Sequence, residues 1–403
     1  MGQATTEDLP AFPMARACPL HAPDSYLQLQ DDEPVARVRL PNGSTAWLVT
    51  KHEHVRQVLM SPHMSSDRTR PGFPALVPGV SRLKDHGVGF LSWADPPEHT
   101  TQRRMLTGEF TVRRAQEMRP AIQAIVDSCL DDLAASGQPA DLVATLAMPV
   151  PALVLASLLG IPDRDLDLFR TKAIEIGHPA SSPETRGAAY RTLRHYLKEL
   201  VESDGPGPEP GMLTRLTERY RAAGAVDNAE VLGFANLLIL AGHESSANMI
   251  ALSAAALLRN RDQWDILAND PRGTRQAVEE LFRYFSVSDV VTSRVATADV
   301  EVGGVTIRAG EGVIASNNAA NHDPELFEDP NRLDLTRPTR RHIAFGYGAH
   351  QCLGQHITRL ELELVFNSLT ARFPNLRLAV PFEELEFTTD ARLYGLYAMP
   401  VVW

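Results

Sequence analysis

The stretch that decides the fold reads Phe345-Gly346-Tyr347-Gly348-Ala349-His350-Gln351-Cys352-Leu353-Gly354, a glycine-rich run with one cysteine. Apolar residues follow it at near-helical spacing and predict an amphipathic helix immediately downstream: Leu353, Ile357, Leu360, Leu364 and Phe366. The Cys352 sulfur then meets the positive end of a helix dipole, which favours thiolate over thiol. Gly346 and Gly348 allow a tight turn whose amides can face the sulfur. The run therefore predicts a thiolate ligand for iron.

The same run resembles the haem-binding loop of the cytochrome P-450 superfamily, F-G-x-G-x-(H/R)-x-C-x-G, with every specified position filled. A lone cysteine in a glycine-rich loop is more often an ordinary buried thiol, but the complete motif outweighs that alternative. The resemblance covers residues 10–403 and implies a mainly α cytochrome P-450 fold, with a large helical region and a small β region around a buried haem, in a single domain over residues 1–403. It implies Cys352 as the iron ligand, haem b (iron protoporphyrin IX) as cofactor, O2 as co-substrate, and haem contacts from Phe345, Gly346 and Gly354.

The composition of the 403-residue chain limits the classes of protein to which it can belong. With 44% hydrophobic residues it can bury a large core, and length alone would suggest two or three domains where the resemblance implies one. A net charge of -11 argues against a nucleic-acid binder, which needs a basic face. Cys18, Cys129 and Cys352 are too few for a disulfide framework, and the sequence shows no apolar run of membrane-spanning length. We therefore expect a soluble, cytoplasmic protein with no membrane or nucleic-acid partner.

Local patterns predict two hairpins in a largely helical chain. The β-rich runs 35–40 and 45–50 flank Pro41-Asn42-Gly43-Ser44, and the shorter runs 300–302 and 305–307 join through Gly303-Gly304. Between about residues 101 and 284 the periodicity is mostly helical. Residues 230–259 are small or apolar on nearly every face, and one helix of that length would span about 45 Å. Such a helix is expected to run through the core.

A polar cluster, Ala241-Gly242-His243-Glu244-Ser245-Ser246, interrupts this apolar segment. It resembles the superfamily's oxygen-binding motif (A/G)-G-x-(D/E)-T-(T/S), except that Ser245 stands where threonine is usual. The resemblance implies that Ala241 and Gly242 leave room for dioxygen, and that Glu244 and Ser245 help to deliver protons there. A helix N-cap or a solvated polar kink is the alternative. Because serine lacks threonine's branching methyl, its hydroxyl is expected to be held less firmly.

Further polar residues occupy positions that the superfamily uses. Glu280 and Arg283 are one helical turn apart and would form a buried structural charge network, with Arg332 as the expected third member and Arg337 as the second choice. The expected partners of the haem propionates are His99, Arg103, Arg294 and His350. Each of these cations alone would be interpreted as a surface residue, but together they follow the family's order.

The resemblance is closest to the soluble bacterial haem-thiolate monooxygenases of the actinomycete branch, which oxidises macrolides, polyketides, terpenoids and drugs in secondary metabolism. The expected reaction is hydroxylation or epoxidation of a bulky hydrophobic small molecule such as a polyketide, macrolide, terpenoid or steroid. The enzyme is expected to be a monomer that receives electrons from a ferredoxin or flavodoxin with its reductase. Two interpretations are open for the basic pairs Arg103-Arg104 and Arg113-Arg114: they bind that partner, or they are solvated surface charges. The expected substrate pocket is largely apolar and contains Phe90, Leu91, Asn236, Leu240, Val287, Val290, Val291, Leu393 and Tyr394.

Two alternative functions stay open at this point. A nitric-oxide reductase of the same superfamily uses NADH directly, but it lacks the acidic residue that Glu244 supplies here. A non-enzymatic haem-based sensor or binding protein would not need the oxygen-activating cluster. The monooxygenase is therefore the preferred interpretation.

Overall fold

The computed structural model describes residues 9–76, 90–202, 211–222, 228–287, 291–388 and 393–403. Most of these residues lie in α-helices beside a few short strands, which confirms the predicted mainly α fold. The helices are α1 (Asp24–Asp32), α2 (His52–Met60), α3 (Phe90–Trp93), α4 (Glu98–Thr107), α5 (Val112–Ala135), α6 (Pro149–Leu159), α7 (Leu166–Gly177), α8 (Pro183–Glu202), α9 (Met212–Ala222), α10 (Asn228–Gly242), α11 (Glu244–Arg259), α12 (Arg261–Asn269), α13 (Thr274–Tyr284), α14 (Asn317–Asn321) and α15 (Gln355–Arg372). The strands are β1 (Val35–Arg39), β2 (Thr45–Val49), β3 (Met64–Ser65), β4 (Ala140–Asp141), β5 (Ser293–Ala296), β6 (Val300–Val302), β7 (Val305–Ile307), β8 (Gly312–Ala315), β9 (Arg377–Leu378) and β10 (Pro400–Val402).

The chain forms two compact units. The first contains Met1–Leu83, Ser92–Thr100 and Glu279–Cys352, and the second contains Lys84–Leu91, Thr101–Val278 and Leu353–Trp403. The first unit holds the larger sheet and the cysteine loop, whereas the second holds most of the long helices. The single domain over residues 1–403 stays a prediction.

A five-stranded sheet organises the first unit, with the strand order β1-β2-β8-β5-β3. Its β1 and β2 pair antiparallel as the first predicted hairpin, and β6 pairs with β7 as the second, so both hairpins are confirmed. Gly303 and Gly304 join β6 to β7 with φ of 55° and 78°, the left-handed region that glycine enters most readily. Since β5 lies antiparallel to β8, Arg294 stands opposite Val313 inside the sheet.

The second unit is built around the buried helices α6 and α11. Helix α6 is apolar along nearly its whole length and packs against α5, α7 and α11. Helix α5 also packs against α15, and the three-stranded sheet β4-β10-β9 belongs to the same unit. Helical periodicity between about residues 101 and 284 therefore predicted this region correctly.

The predicted continuous helix over residues 230–259 is wrong in one respect, because the structure divides it into α10 and α11 at His243. The backbone of His243 is distorted to φ −98° and ψ −65°. Its ring is buried and forms a hydrogen bond with the carbonyl of Met148, with Nε2 and O 2.9 Å apart. The hydroxyl of Ser245 donates across the break to the carbonyl of Ala241 at 2.9 Å. The interruption thus lies within the polar cluster that the sequence singled out.

A buried carboxyl on α15 gives a first testable prediction. Glu361 is 2% exposed, one of its oxygens has no hydrogen-bond partner among the described residues, and burial raises its pKa from 4.5 to about 8. The unfolded chain releases this proton near 4.5 and the folded protein near 8, so stability falls as the pH rises between those values. Glu361→Gln removes the titration and should raise the free energy of unfolding at pH 8 by about 2 kcal/mol or more.

Urea unfolding at pH 5 and pH 8 measures this effect. Glu363→Gln is the control on the same helix, because Glu363 already forms an ion pair with Arg119 at 2.9 Å. The Glu363 variant should keep the parental fall in stability with pH. An equally steep fall in the Glu361 variant would contradict the assignment of a protonated carboxyl.

Candidate active site

The cysteine loop is a backbone-closed turn in the first unit. The amide of Cys352 donates to the carbonyl of Phe345 at 2.8 Å, and the amide of Gly346 donates to that of Ile343 at 2.8 Å. Gly346 and Gly348 have φ of 72° and 73°, so the turn uses the freedom of glycine at both positions. The Cys352 side chain is exposed, and α15 begins at Gln355, three residues later. An accessible thiol just before a helix is the arrangement that the spacing predicted.

Packing holds the loop against the rest of the first unit. A Cβ on Gly348 would lie 2.7 Å from the carbonyl oxygen of Leu59, so only glycine fits there. The guanidinium of Arg56 stacks on Tyr347 at 4.3 Å and donates to its hydroxyl at 2.6 Å. The ring of Phe345 lies 4.6 Å from that of Phe282. The loop conformation is therefore fixed on several sides.

A buried ion pair lies in the same unit. Arg283 donates from Nε and Nη2 to the two carboxylate oxygens of Glu280, both at 2.8 Å, and both side chains are fully buried. The hydroxyl of Thr339 donates to Glu280 Oε2 at 2.7 Å. Arg283 also donates from Nη1 to the carbonyl of Asn321 at 3.0 Å. Asn321 Oδ1 in turn accepts from the amide of Ile343 at 2.7 Å, which connects the pair to the cysteine loop.

The expectation that Arg332 is the third member of this network is wrong. Its side chain is exposed, and it contributes only its backbone carbonyl, 3.4 Å from Arg283 Nη2. Arg337 takes the place instead, with Nε 3.2 Å from Glu280 Oε1. The chain turns between Arg332 and Arg337, with the Asp334 amide also donating to Glu280 at 3.3 Å. Sequence reasoning missed Thr339, since a lone threonine outside a regular element carries no signal.

Three of the predicted propionate partners, His99, Arg294 and His350, belong to the first unit. The rings of His99 and His350 have centroids 4.0 Å apart, and His350 Nε2 is 3.1 Å from the hydroxyl of Ser66. Arg294 is 5% exposed, and burial, with the nearby Arg68 guanidinium, lowers its pKa to about 10. A guanidinium and two imidazoles can donate hydrogen bonds to carboxylates, so the chemistry of these residues fits the propionates of haem. Arg103, the fourth, is half-buried on α4.

The predicted oxygen site lies at the break between α10 and α11 in the second unit. Ala241 is exposed, whereas Gly242, Glu244 and Ser245 are half-buried. The accessible stripe continues along α10 through Leu240 and Leu237, at helical spacing. Asn236, which was predicted to line the pocket, also lies on α10 and is 1% exposed. The membership of Asn236 and Leu240 in the substrate pocket stays a prediction.

The remaining predicted pocket residues occupy separate segments. Leu91 is buried, Val287 is half-buried and Val291 is 42% exposed. The side chain of Phe90 and all of Val290 lie outside the described residues. Their common membership of one pocket stays a prediction.

Leu393 and Tyr394 belong to the C-terminal part of the second unit. Thr388 pairs with Gly395 beside them, since its amide donates to the carbonyl of Gly395 at 2.9 Å and its hydroxyl accepts from the Gly395 amide at 2.8 Å. A Cβ on Gly395 would overlap the carboxamide of Asn248 on α11. Thr388 and Asn248 thus position two predicted pocket residues, and no sequence motif marked either one.

These features define a haem-thiolate class of site, and comparison with known proteins gives the family. The Cytochrome P450 family profile matches residues 259–378. The chain is 43% identical over 399 residues to vitamin D3 dihydroxylase of Streptomyces griseolus, covering 99% of this chain and 98% of the relative. The crystal structure of cytochrome P450 MoxA from Nonomuraea recticatena is 43% identical, with a TM-score of 0.93 and coverage of 98% of both chains. Mycinamicin VIII C21 methyl hydroxylase MycCI from Micromonospora griseorubida, solved bound to mycinamicin VIII, is 37% identical, with a TM-score of 0.87 and coverage of 98% of this chain and 100% of that one. This chain therefore belongs to the cytochrome P450 family.

Membership of the family confirms several predictions. The protein is a cytochrome P450 monooxygenase with the P450 fold, haem as its cofactor and O2 as its co-substrate. The nitric-oxide reductase and the sensor are not favoured. Within the described ranges, no helix is both long and apolar enough to cross a membrane.

Proposed function

We propose that this enzyme hydroxylates or epoxidises a bulky hydrophobic small molecule, using O2 and electrons from a ferredoxin or flavodoxin with its reductase. The observation that carries the proposal is the accessible Cys352 thiol in a closed loop before α15, in a chain that aligns over nearly its whole length with P450 enzymes. The similar proteins named above act on vitamin D3 or bind mycinamicin VIII. Both names support a large, mostly apolar substrate of the polyketide, macrolide, terpenoid or steroid kind. A monomeric, cytoplasmic state is part of the same proposal.

The chain's own residues would bind and orient the haem. Cys352 would supply the thiolate ligand of the iron, and Phe345, Gly346 and Gly354 of the same loop would contact the haem. Arg294, His99 and His350 supply charge and hydrogen-bond donors to the propionates, with Arg103 as a fourth. Bound haem supplies the activation of O2 and the insertion of one oxygen atom into the substrate. The protein controls access, orientation and protons.

In this proposal, residues at the break between α10 and α11 supply the protons. Glu244 is half-buried there and is the nearest acid in sequence to the Ser245 hydroxyl. Ser245 Oγ donates to the Ala241 carbonyl at 2.9 Å, so its lone pairs can accept a proton-bearing partner. Rotation about χ1 lets the same hydroxyl donate toward the space beside Ala241 and Gly242. A serine in this position can therefore pass a proton in the same way as the usual threonine.

Loss of the Ser245 hydroxyl tests the proposed reaction. Ser245→Ala should leave haem and substrate binding intact but lower the product formed per NAD(P)H roughly tenfold, with hydrogen peroxide accounting for the difference. Ser245→Thr should tighten the coupling. The measurement uses a surrogate ferredoxin and reductase with hydrophobic natural products selected by their spectral shift. Efficient NADH-driven reduction of nitric oxide, without a protein partner and without product hydroxylation, would replace the proposal by the reductase.

The basic residues of α4 and α5 give a prediction about electron supply. Arg104 is exposed, and Arg113 is 90% exposed with only a 3.5 Å contact to Glu117. Arg104→Glu with Arg113→Glu should slow ferredoxin-driven reduction about tenfold at low salt, because reversed charge repels an acidic partner. Its salt dependence should also flatten, since screening acts within about 10 Å at 0.1 M salt. Stopped-flow reduction measures both, and Arg221→Glu on α9 is the control. If the variant were reduced at the parental rate at every salt concentration, these arginines would not form the docking site of the redox partner.

A further inference from the structure

The imidazole of His243 occupies the break between α10 and α11. It is 1% exposed, and its Nε2 lies 2.9 Å from the carbonyl oxygen of Met148. Because a carbonyl can only accept, Nε2 carries the hydrogen and donates it. Burial lowers the pKa of His243 to about 4, against the hydrogen bond to Met148, so the ring is neutral at physiological pH. The fold thus selects the neutral tautomer protonated at Nε2.

The other ring nitrogen faces a glycine of α7. A Cβ on Gly177 would lie 2.5 Å from His243 Nδ1 and 3.6 Å from the Cβ of Glu244. Any larger residue at this position would therefore displace the ring or the helix. His243 Nδ1 is buried and has no hydrogen-bond partner within the described ranges. Shape, rather than a second hydrogen bond, therefore holds this side of the ring against Gly177.

The position of the ring determines how α11 begins. The carbonyl of His243 accepts from the amide of Ala247 at 3.0 Å, so the first turn of α11 starts from His243 itself. Glu244 and Ser245 are the first two residues of that turn. Side-chain directions in a helix follow its backbone, so a shift of His243 would redirect both the carboxyl and the hydroxyl.

We propose that His243 is a positioning residue for oxygen activation, seated between the Met148 carbonyl and Gly177 and holding the helix break that orients Glu244 and Ser245. This inference rests on the proposed proton-supplying role of those two residues. His243 acts through its neighbours and not on the reacting atoms. Gly177 forms the other side of this seat, because only glycine lets α7 pack on the His243 ring.

The test compares three single variants of the holoenzyme and one double variant. His243→Phe keeps a planar ring but loses the donor to Met148, His243→Gln keeps a donor of similar reach, and Gly177→Ala crowds the ring. His243→Phe and Gly177→Ala should each lower product per NAD(P)H about threefold or more, with hydrogen peroxide rising to match. His243→Gln should retain most of the coupling. The double variant of His243→Phe with Gly177→Ala should lose less than the sum of the single losses, since both changes act on one contact.

Matched controls separate positioning from general loss of stability. His322 is also buried, with Nδ1 2.9 Å from the carbonyl of Asn318, so His322→Phe removes a comparable buried histidine elsewhere. Gly187→Ala adds a methyl group to α8 that would meet only the flexible end of Arg191, at 3.3 Å. Both controls should keep parental coupling in the folded fraction, as measured by the reduced carbon-monoxide spectrum and the substrate-induced spectral shift.

Two outcomes overturn the inference, and a third overturns what it rests on. Parental coupling in His243→Phe, while Ser245→Ala uncouples, would show that His243 does not position the pair. Lower melting temperature and lower haem content in His243→Phe, with coupling unchanged in the folded fraction, would assign it a structural role only. Parental coupling in Ser245→Ala would instead reject the proposed role of the hydroxyl.

Discussion

Replacing Cys352 by histidine is expected to abolish monooxygenation and the strongly red-shifted Soret band of the reduced carbon-monoxide complex. The thiolate pushes electron density toward cleavage of the O–O bond, and a neutral imidazole does not. The loop should tolerate the change, because its closing hydrogen bonds are made by the backbone of residues 343–352. Product formation in the surrogate ferredoxin system should therefore fall to background in a protein that still binds haem. The carbon-monoxide difference spectrum and product assay measure the two effects.

Cys129→Ala is the control for this experiment. Cys129 is buried on α5, and burial raises the pKa of its thiol to about 12, so it stays protonated over the working range. The control variant should keep the thiolate spectrum, whatever it loses in stability. A thiolate spectrum that survived Cys352→His would disprove the assignment of the ligand.

Arg283→Ala is expected to destabilise the protein by about 3–5 kcal/mol, because it leaves the Glu280 carboxylate buried without its principal partner. That loss is a large part of the stability of a typical domain. Glu280 and Arg283 are both fully buried, so water cannot solvate the carboxylate that is left without its partner. Haem content should fall with stability, since Arg283 and Asn321 connect the network to the cysteine loop. Urea unfolding and the ratio of haem to protein are the measurements.

Arg332 and Arg337 supply the matched pair for this prediction. Arg332→Ala should change stability by no more than about 0.5 kcal/mol, as expected for an exposed side chain. Arg337→Ala should cost more, since its guanidinium contacts Glu280 at 3.2 Å. A larger effect at Arg332 than at Arg337 would restore the first assignment.

Local patterns were sufficient where the structure depends on neighbours in sequence. The two strands of each hairpin are separated by only a few residues in the sequence. Cys352 likewise precedes α15 by only three residues. The choice between Arg332 and Arg337 depended instead on how the chain turns after α14, which no periodicity records. Family spacing indicated the right segment but not the right arginine.

The division at His243 could not be predicted for a related reason. A helix ends where competing contacts outweigh its own hydrogen bonds, and here those contacts come from Met148 and Gly177, far away in sequence. The polar cluster at residues 241–246 was the local sign that this segment does more than pack.

The Glu280 network also restricts how this enzyme could be recombined with its relatives. The carboxylate of Glu280 joins segments more than fifty positions apart, since its partners include Asp334, Arg337 and Thr339. A chimera with a crossover between α13 and Arg337 would pair a carboxylate from one parent with donors from the other. Crossovers placed before α13 or after Cys352 would instead transfer the network and the iron ligand together. Residues 274–352, from the start of α13 to Cys352, are therefore best inherited as one block in any such chimera.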